Sequence, residues 1–462
     1  MARGKEKEST LTPEEKLVQA LVPVEEQPYK VPENWCWTKL RYIGTVKGGK
    51  RIPKGHQFSD EPTEHPYIRV TDFRDGGIAV DGLKYVNKST FNQIKNYTIS
   101  SSDIYVSIAG SIGKVGIIPL ELDGANLTEN AAKITDITGG DQMYLLRFLS
   151  SEDAQQQMAE STISTTQPKL ALFRIEDISI PIPPLTEQQR IVDRIEYLFA
   201  KLDEAKEKAQ SVLDSFETRK AAILHKAFTG ELTAKWRAEH GVQLDTWQSV
   251  LFDNCIAKMQ NGLAKRAGSN GIPFAVLRLA NLSDDGFITD DLRQIVLDEK
   301  EQGNYRLMPN DVLMIRVNGS KDNVGKQFLM GDQKDWAFCD HIIRIRYSDG
   351  ILPAYMVLFS KSDVYGLYVK DNMVSSAGQN TISRKGMAHL AVPVPSPDEQ
   401  AEIIRILDSL FAKEQQAKET AEAVLEKIDL LKKSILARAF RGELGTNDPT
   451  EESTLELLKS TI

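Results

Sequence analysis

The sequence predicts an α+β fold: two strand-rich globular domains separated by a pair of long antiparallel coiled-coil helices, arranged as a pseudo-twofold internal repeat. Three observations predict it. Residues 180–209, IPIPPLTEQQRIVDRIEYLFAKLDEAKEKA, return at 392–421 as VPVPSPDEQAEIIRILDSLFAKEQQAKETA, a constant offset of 212 (392 − 180). Both copies carry apolar residues at helical spacing. A long stretch precedes each copy, with short β-rich runs such as DIYVSIA, VLMIRV and HIIRIRY between Gly and Asn turns.

The helical copies are the clearest element. Aligned without a gap, 183–232 and 395–444 are identical at 22 of 50 positions, including LFAK at 198–201 and 410–413 and GEL at 230–232 and 442–444. The first seam runs Ile191, Ile195, Leu198, Leu202, Ala205, Ala209, Val212, Phe216 and Ile223, and is broken at Arg219. The second runs Ile403, Leu407, Leu410, Ala417, Ala421, Val424, Ile428, Leu431 and Ile435, and is broken at Glu414. A period of 3.5 held over four heptads is a coiled-coil signature. Matched seams pair with each other, and a helix that returns after a whole domain pairs antiparallel. Thr186 with Gln189 offers a capping box, Ser396, Pro397 and Asp398 offer start signals, and Gly230 and Gly442 stand where each helix should stop. One continuous helix is expected over about 187–228. Leu198, Phe199, Leu410 and Phe411 read as core.

The globular parts repeat more faintly. YIRVTDFRDGGI (67–78) aligns with VLRLANLSDDGFI (276–288), SDIYVSIAGSIGKVGII (102–118) with NDVLMIRVNGSKDNVGKQF (310–328), and STTQPKLAL (164–172) with SAGQNTISR (376–384). The organisation expected is an N-terminal extension at 1–30, a first domain at 31–182, a central helical region at 183–240, a second domain at 241–394, a C-terminal helical region at 395–445 and an acidic tail at 446–462.

Composition bounds the function. The chain has 462 residues, 41% hydrophobic and 26% charged, as in an ordinary globular protein of two or three domains. No run approaches the roughly 18 apolar residues of a membrane helix, and MARGKEKESTLTPEEK lacks the apolar centre of a signal peptide. Three scattered cysteines give no zinc spacing and fit a cytoplasmic location. Net charge is −8, with 9 Lys+Arg against 14 Asp+Glu in 395–462. Local patches, rather than this sum, decide whether nucleic acid binds. AGSIGKVG mimics a phosphate loop but lacks its first Gly and its Ser or Thr, and no dinucleotide, methyltransferase, zinc-protease or serine-hydrolase motif is present. This favours a binding protein over the two alternatives, a single-chain methyltransferase or nuclease and a coiled-coil scaffold that binds protein alone.

The run P-x-P-P-L-x-E-Q-x-x-I-V…L-F-A-K…K-A-A-I-L-x-K-A-F-x-G-E-L, at 181–232 and in variant form at 393–444, follows domains containing YIRVTDF and GSIGKVG. This combination resembles the specificity subunit of type I restriction-modification enzymes, over nearly the whole chain. The resemblance implies two target recognition domains, each reading one half of a bipartite, asymmetric sequence in double-stranded DNA. It implies that the helices set the half-site spacing and dock two modification (methyltransferase) subunits, with restriction subunits completing the complex. S-adenosylmethionine would be held by the modification subunits, and ATP and Mg by the restriction subunits. This chain would bind no cofactor or metal and would not be an enzyme. The N-terminal extension would be partly helical and contact another subunit.

Base edges are read by Arg and Lys at guanine and by Asn and Gln at adenine, and lysines also hold phosphate. On that chemistry the DNA-binding candidates of the first domain are Lys47, Lys50, Arg51, Lys54, Arg69, Thr71, Asp72, Ser111, Lys114, Gln167 and Lys169. Those of the second are Lys265, Arg266, Arg278, Asn281, Arg316, Asn318, Ser320, Lys321, Gln379 and Arg384. Arg69 and Arg278 have a competing role as shared scaffold, since both domains carry them. Gln167 and Gln379 could instead cap backbone in a shared loop.

Overall fold

The computed structural model describes residues 12–160, 168–283, 286–332 and 335–461. The chain divides into two compact units, Met1–Lys208 with Val424–Ile462, and Ala209–Ala423. Each holds one strand-rich domain and a portion of both long helices.

In the first unit one four-stranded sheet orders Lys84–Tyr85, Pro66–Ile68, Ala125–Leu127 and Thr98–Ile99. A second orders Thr45–Gly48, Ala131–Thr135, Ile104–Ser107 and Val115–Gly116. The second unit repeats the plan. Ile272–Leu277 lies between Arg293–Leu297 and Trp336–Phe338, beside a sheet ordered Ile256–Asn261, Ile342–Tyr347, Val312–Ile315 and Gln327–Leu329. In each unit a Pro-rich strand leads into a long helix. Ser179–Ile182 pairs with Cys36–Lys39, and Ala391–Val394 pairs with Gln248–Leu251.

The long helices pair antiparallel inside each unit, as the seams imply. In the first unit Lys432 bonds Asp203 at 2.6 Å and lies over the Phe199 ring. In the second, Arg219 Nε donates to Glu414 Oε2 at 2.8 Å. The two polar breaks in the seams therefore meet each other. Both side chains are partly exposed, so a double-mutant cycle on Arg219→Ala and Glu414→Ala is expected to give a coupling of no more than about 1 kcal/mol. A larger value would mean that the pair, and not the apolar seam around it, holds this crossing.

Four local expectations are corrected. The first helix begins at Leu185, and Thr186 donates to Glu451 instead of forming a capping box with Gln189. It runs to Asp214 and resumes at Phe216, the break falling at Ser215, whose hydroxyl donates to the Ser211 carbonyl. The second copy has Lys427 there and is one helix, Pro397–Phe440, started by Ser396, whose Oγ accepts the Glu399 amide. Finally, Ala417 and Leu431 are exposed, Lys432 taking the inward place after Ile428. Gly230 and Gly442 do end the helices, at φ of 83° and 73°, where an added Cβ is strained.

The duplicated Glu-Gln explains itself in three dimensions. Glu187 and Glu399 are fully buried. Trp35 Nε1 donates to Glu187 at 2.7 Å, and Trp247 Nε1 to Glu399 at 2.9 Å. The next residues, Gln188 and Gln400, each accept a backbone amide, from Asp141 and Leu352, and donate to the carbonyls of Pro183 and Pro395. These side chains lock each long helix to its domain. The tail is ordered by the same site: Asn447 donates to Glu187, Arg190 clasps Glu451 through both terminal nitrogens, and Leu458 of the helix Thr454–Thr461 is buried. The helix Pro13–Ala20, opened by a Thr12–Glu15 capping box, packs against that last helix.

Candidate nucleic-acid interface

Each unit carries a cleft in the same place. Three pieces of backbone build it: a loop leaving the edge of one sheet, a short turn headed by an arginine, and the turn between two strands. In the first unit Gly49 donates to Ala131, Lys50 to Leu127, and Thr128 to Ile68. In the second Gly262 donates to Ile342, Leu263 to Phe338, and Cys339 to Leu277. The floor needs glycine. A Cβ on Gly49 would lie 2.0 Å from the Thr128 carbonyl oxygen, and one on Gly262 2.1 Å from that of Cys339. Gly49→Ala is therefore expected to cost about 1–3 kcal/mol, read by denaturant unfolding, because the strand turn must move.

The first cleft, about 410 Å³, is lined by Arg51, Arg69, Thr71, Glu129 and Asn130, among others. Arg51 Nε bonds Glu129 at 2.6 Å. Burial pushes the Glu129 carboxyl up, but the hydrogen bonds from Arg51 and Thr128 outweigh it and hold the group below the usual range. Arg69 is clamped by Asp72 through its own amide, Nε and Nη2. Asp72 is buried, so it braces the turn and leaves the cleft to its neighbours.

The second cleft, about 240 Å³, is lined by Lys265, Arg266, Arg278, Arg293 and His341. Arg266 bonds both oxygens of Asp340, at 3.0 and 3.4 Å. Burial opposes ionisation of Asp340, and Arg266 overrides it, as in the first cleft. Asn281 takes the bracing part of Asp72: its Oδ1 accepts the Arg278 amide at 2.9 Å and it is buried. Arg278 reaches Asp291 at 2.8 Å. Cys339, Asp340 and His341 are the one grouping among the described residues with donors close enough for a metal. Asp340 is engaged by Arg266, burial raises the Cys339 thiol, and the surrounding Lys and Arg favour an anion there over a cation.

The structure thus gathers Arg51, Arg69 and Thr71 in one cleft and Lys265, Arg266 and Arg278 in the other. A second loop adjoins each cleft. Ile108 and Ala109 both donate to the Asn130 carbonyl, and Arg316 and Val317 both donate to that of His341. Ser111 and Lys114 lie on the first of these loops, and Lys169 pairs with it through Ala109. Arg316, Asn318 and Ser320 lie on the other, where Val317–Asn318 pairs with Gln379–Thr381. Gln167 lies outside the described residues. Lys47 stands apart on its strand, paired with Asp136, Lys50 sits over the Tyr97 ring, and Lys54 is exposed. Lys321 lines a separate groove, and Arg384 is paired with Asp253. Sequence reasoning missed Glu129, Asn130, Arg293, Asp340 and His341. For all but Arg293 the signal was an acid followed by Asn or His just ahead of a strand, in TENAAKIT and CDHIIRIR.

The chain is 30% identical over 424 residues to the type I restriction enzyme StySPI specificity subunit of Salmonella potsdam, covering 90% of each chain. The chain belongs to the type I restriction enzyme specificity subunits. It is 26% identical over 424 residues to the EcoKI specificity subunit of Escherichia coli (strain K12), again covering 90% of each. Residues 32–213 match the type I restriction modification DNA specificity domain. In fold it is similar to the HsdS subunit from Thermoanaerobacter tengcongensis, with a TM-score of 0.64 and 19% identity, covering 91% of this chain and all of that one. As a specificity subunit it supplies DNA target recognition and is not itself an enzyme. Among the described residues, no helix is long and apolar enough to cross a membrane.

Proposed function

We propose that each unit of this specificity subunit reads one half of a bipartite, asymmetric target in double-stranded DNA, using its cleft and the adjoining loop. The carrying observation is the pair of matched clefts, alike in backbone and bracing and different in lining side chains. Equal frames with unequal linings suit two half-sites of different sequence. The long helices set the spacing between half-sites and dock two modification subunits. These bring S-adenosylmethionine, and restriction subunits bring ATP and Mg, while this chain contributes recognition alone in the cytoplasm. Lys54, Lys114 and Lys169, exposed on loops of the first unit, serve phosphate, which positions without specifying.

The test is co-expression with the modification subunits in a host free of other adenine methylation, followed by a genome-wide methylation map. One motif of two separated, unlike halves is expected. Absence of methylation by an assembled complex, or a single uninterrupted motif, would overturn the reading.

A further inference from the structure

We infer that Asn130 and His341 are the matched specificity-determining residues of the two half-sites, Asn130 for an A·T pair and His341, with Arg266 and Asp340, for a G·C pair. This rests on the half-site reading above.

The two residues occupy one structural position. Each lies one residue before the strand that floors the cleft, Ala131–Thr135 or Ile342–Tyr347. Each has its carbonyl fixed by two backbone amides of the adjoining loop, at 2.8 and 3.3 Å in both units. Each follows an acid that holds an arginine of the facing loop, Glu129 with Arg51 and Asp340 with Arg266. The frame therefore presents one side chain per unit at the junction of cleft and loop, and that side chain differs.

Chemistry assigns the partner. The Asn130 amide has no hydrogen-bond partner among the described residues and is half-buried at the cleft wall. Its neighbouring donor and acceptor match adenine N6 and N7. His341 is held at Nδ1 by Asp340, 3.2 Å away. Arg266 and Arg293, lining the same cleft, add donors suited to guanine O6 and N7, and Asp340 holds Arg266 and His341 in place. Arg293 has no partner among the described residues, so it is free to join a base or a phosphate.

The experiment uses the full chain assembled with its modification subunits. Complexes carrying Asn130→Ala, Asn130→His or His341→Ala are mapped for methylation and titrated with duplexes altered one base pair at a time. Asn130→Ala should lose selectivity at one A·T pair in one half only, with specific binding on the order of 10- to 100-fold weaker and the other half unchanged. Asn130→His should shift that position towards G·C. His341→Ala should do the corresponding damage at a G·C pair in the opposite half. A bipartite wild-type motif kept unchanged by all three variants would sink the inference while leaving the half-site reading intact. A wild type with no bipartite motif would sink the reading itself. Should Asn130→Ala fail to assemble, Asn130→Asp, which keeps size and the acceptor but loses the donor, must still alter that one position, and no alteration counts against the assignment.

Discussion

Arg237→Met is expected to destabilise the second unit by about 3–5 kcal/mol, the cost of leaving a buried charge without its partner. Arg237 Nη1 bonds Glu399 Oε1 at 2.6 Å, and the side chains are 8% and 0% exposed. Thr233 and Trp247 also donate to that carboxylate, at 2.6 and 2.9 Å, but neither carries charge. Arg237 further caps the Gly230 carbonyl, so its loss also frees the turn that ends the first long helix. Chemical denaturation should show the loss directly. The double variant Arg237→Met with Glu399→Leu should recover much of it, since no unpaired charge remains. A single variant costing under about 1 kcal/mol would mean that water reaches Glu399.

The second large effect lies in the first unit. Phe440 is fully buried at the end of the second long helix, edge-on to Tyr144 at 5.4 Å and to Phe148 at 5.1 Å. Phe440→Ala removes a whole ring from a closed core and should cost about 3–5 kcal/mol. Its duplicate, Phe228, meets Tyr355 and Phe359 at 5.4 and 5.1 Å but is only half-buried. Phe228→Ala should cost clearly less, by the same denaturation measurement. Equal losses would show that burial does not differ between the copies.

Much of the fold was legible because its signals are local. A 3.5-residue apolar period, Ser396 at a helix start and glycines past a helix end act within a few residues of chain. The strands at 104–107, 312–315 and 342–347 stand inside the β-rich runs that announced them. The candidate site was legible in part. Aligning YIRVTDF with VLRLANL picked out Arg69 and Arg278, and the structure places both in clefts. The same alignment could not tell that Asp72 and Asn281 are buried braces, because an acid and an amide at matched positions suit base reading and turn bracing alike. Glu129 and Asp340 went unseen because acids are not expected at a DNA surface unless the arginine each one holds is known.

By itself the sequence determined the duplication, the paired helices and the split into two strand-rich parts, since repeated text and periodicity need no knowledge of distant contacts. The tertiary structure alone decided which polar groups meet. Arg51 finds Glu129 across 78 residues of chain, Arg266 finds Asp340 across 74, and Arg219 finds Glu414 across 195. Such pairings depend on how sheets and helices bring remote segments together, and a charge in a linear sequence carries no mark of the partner that folding will place beside it.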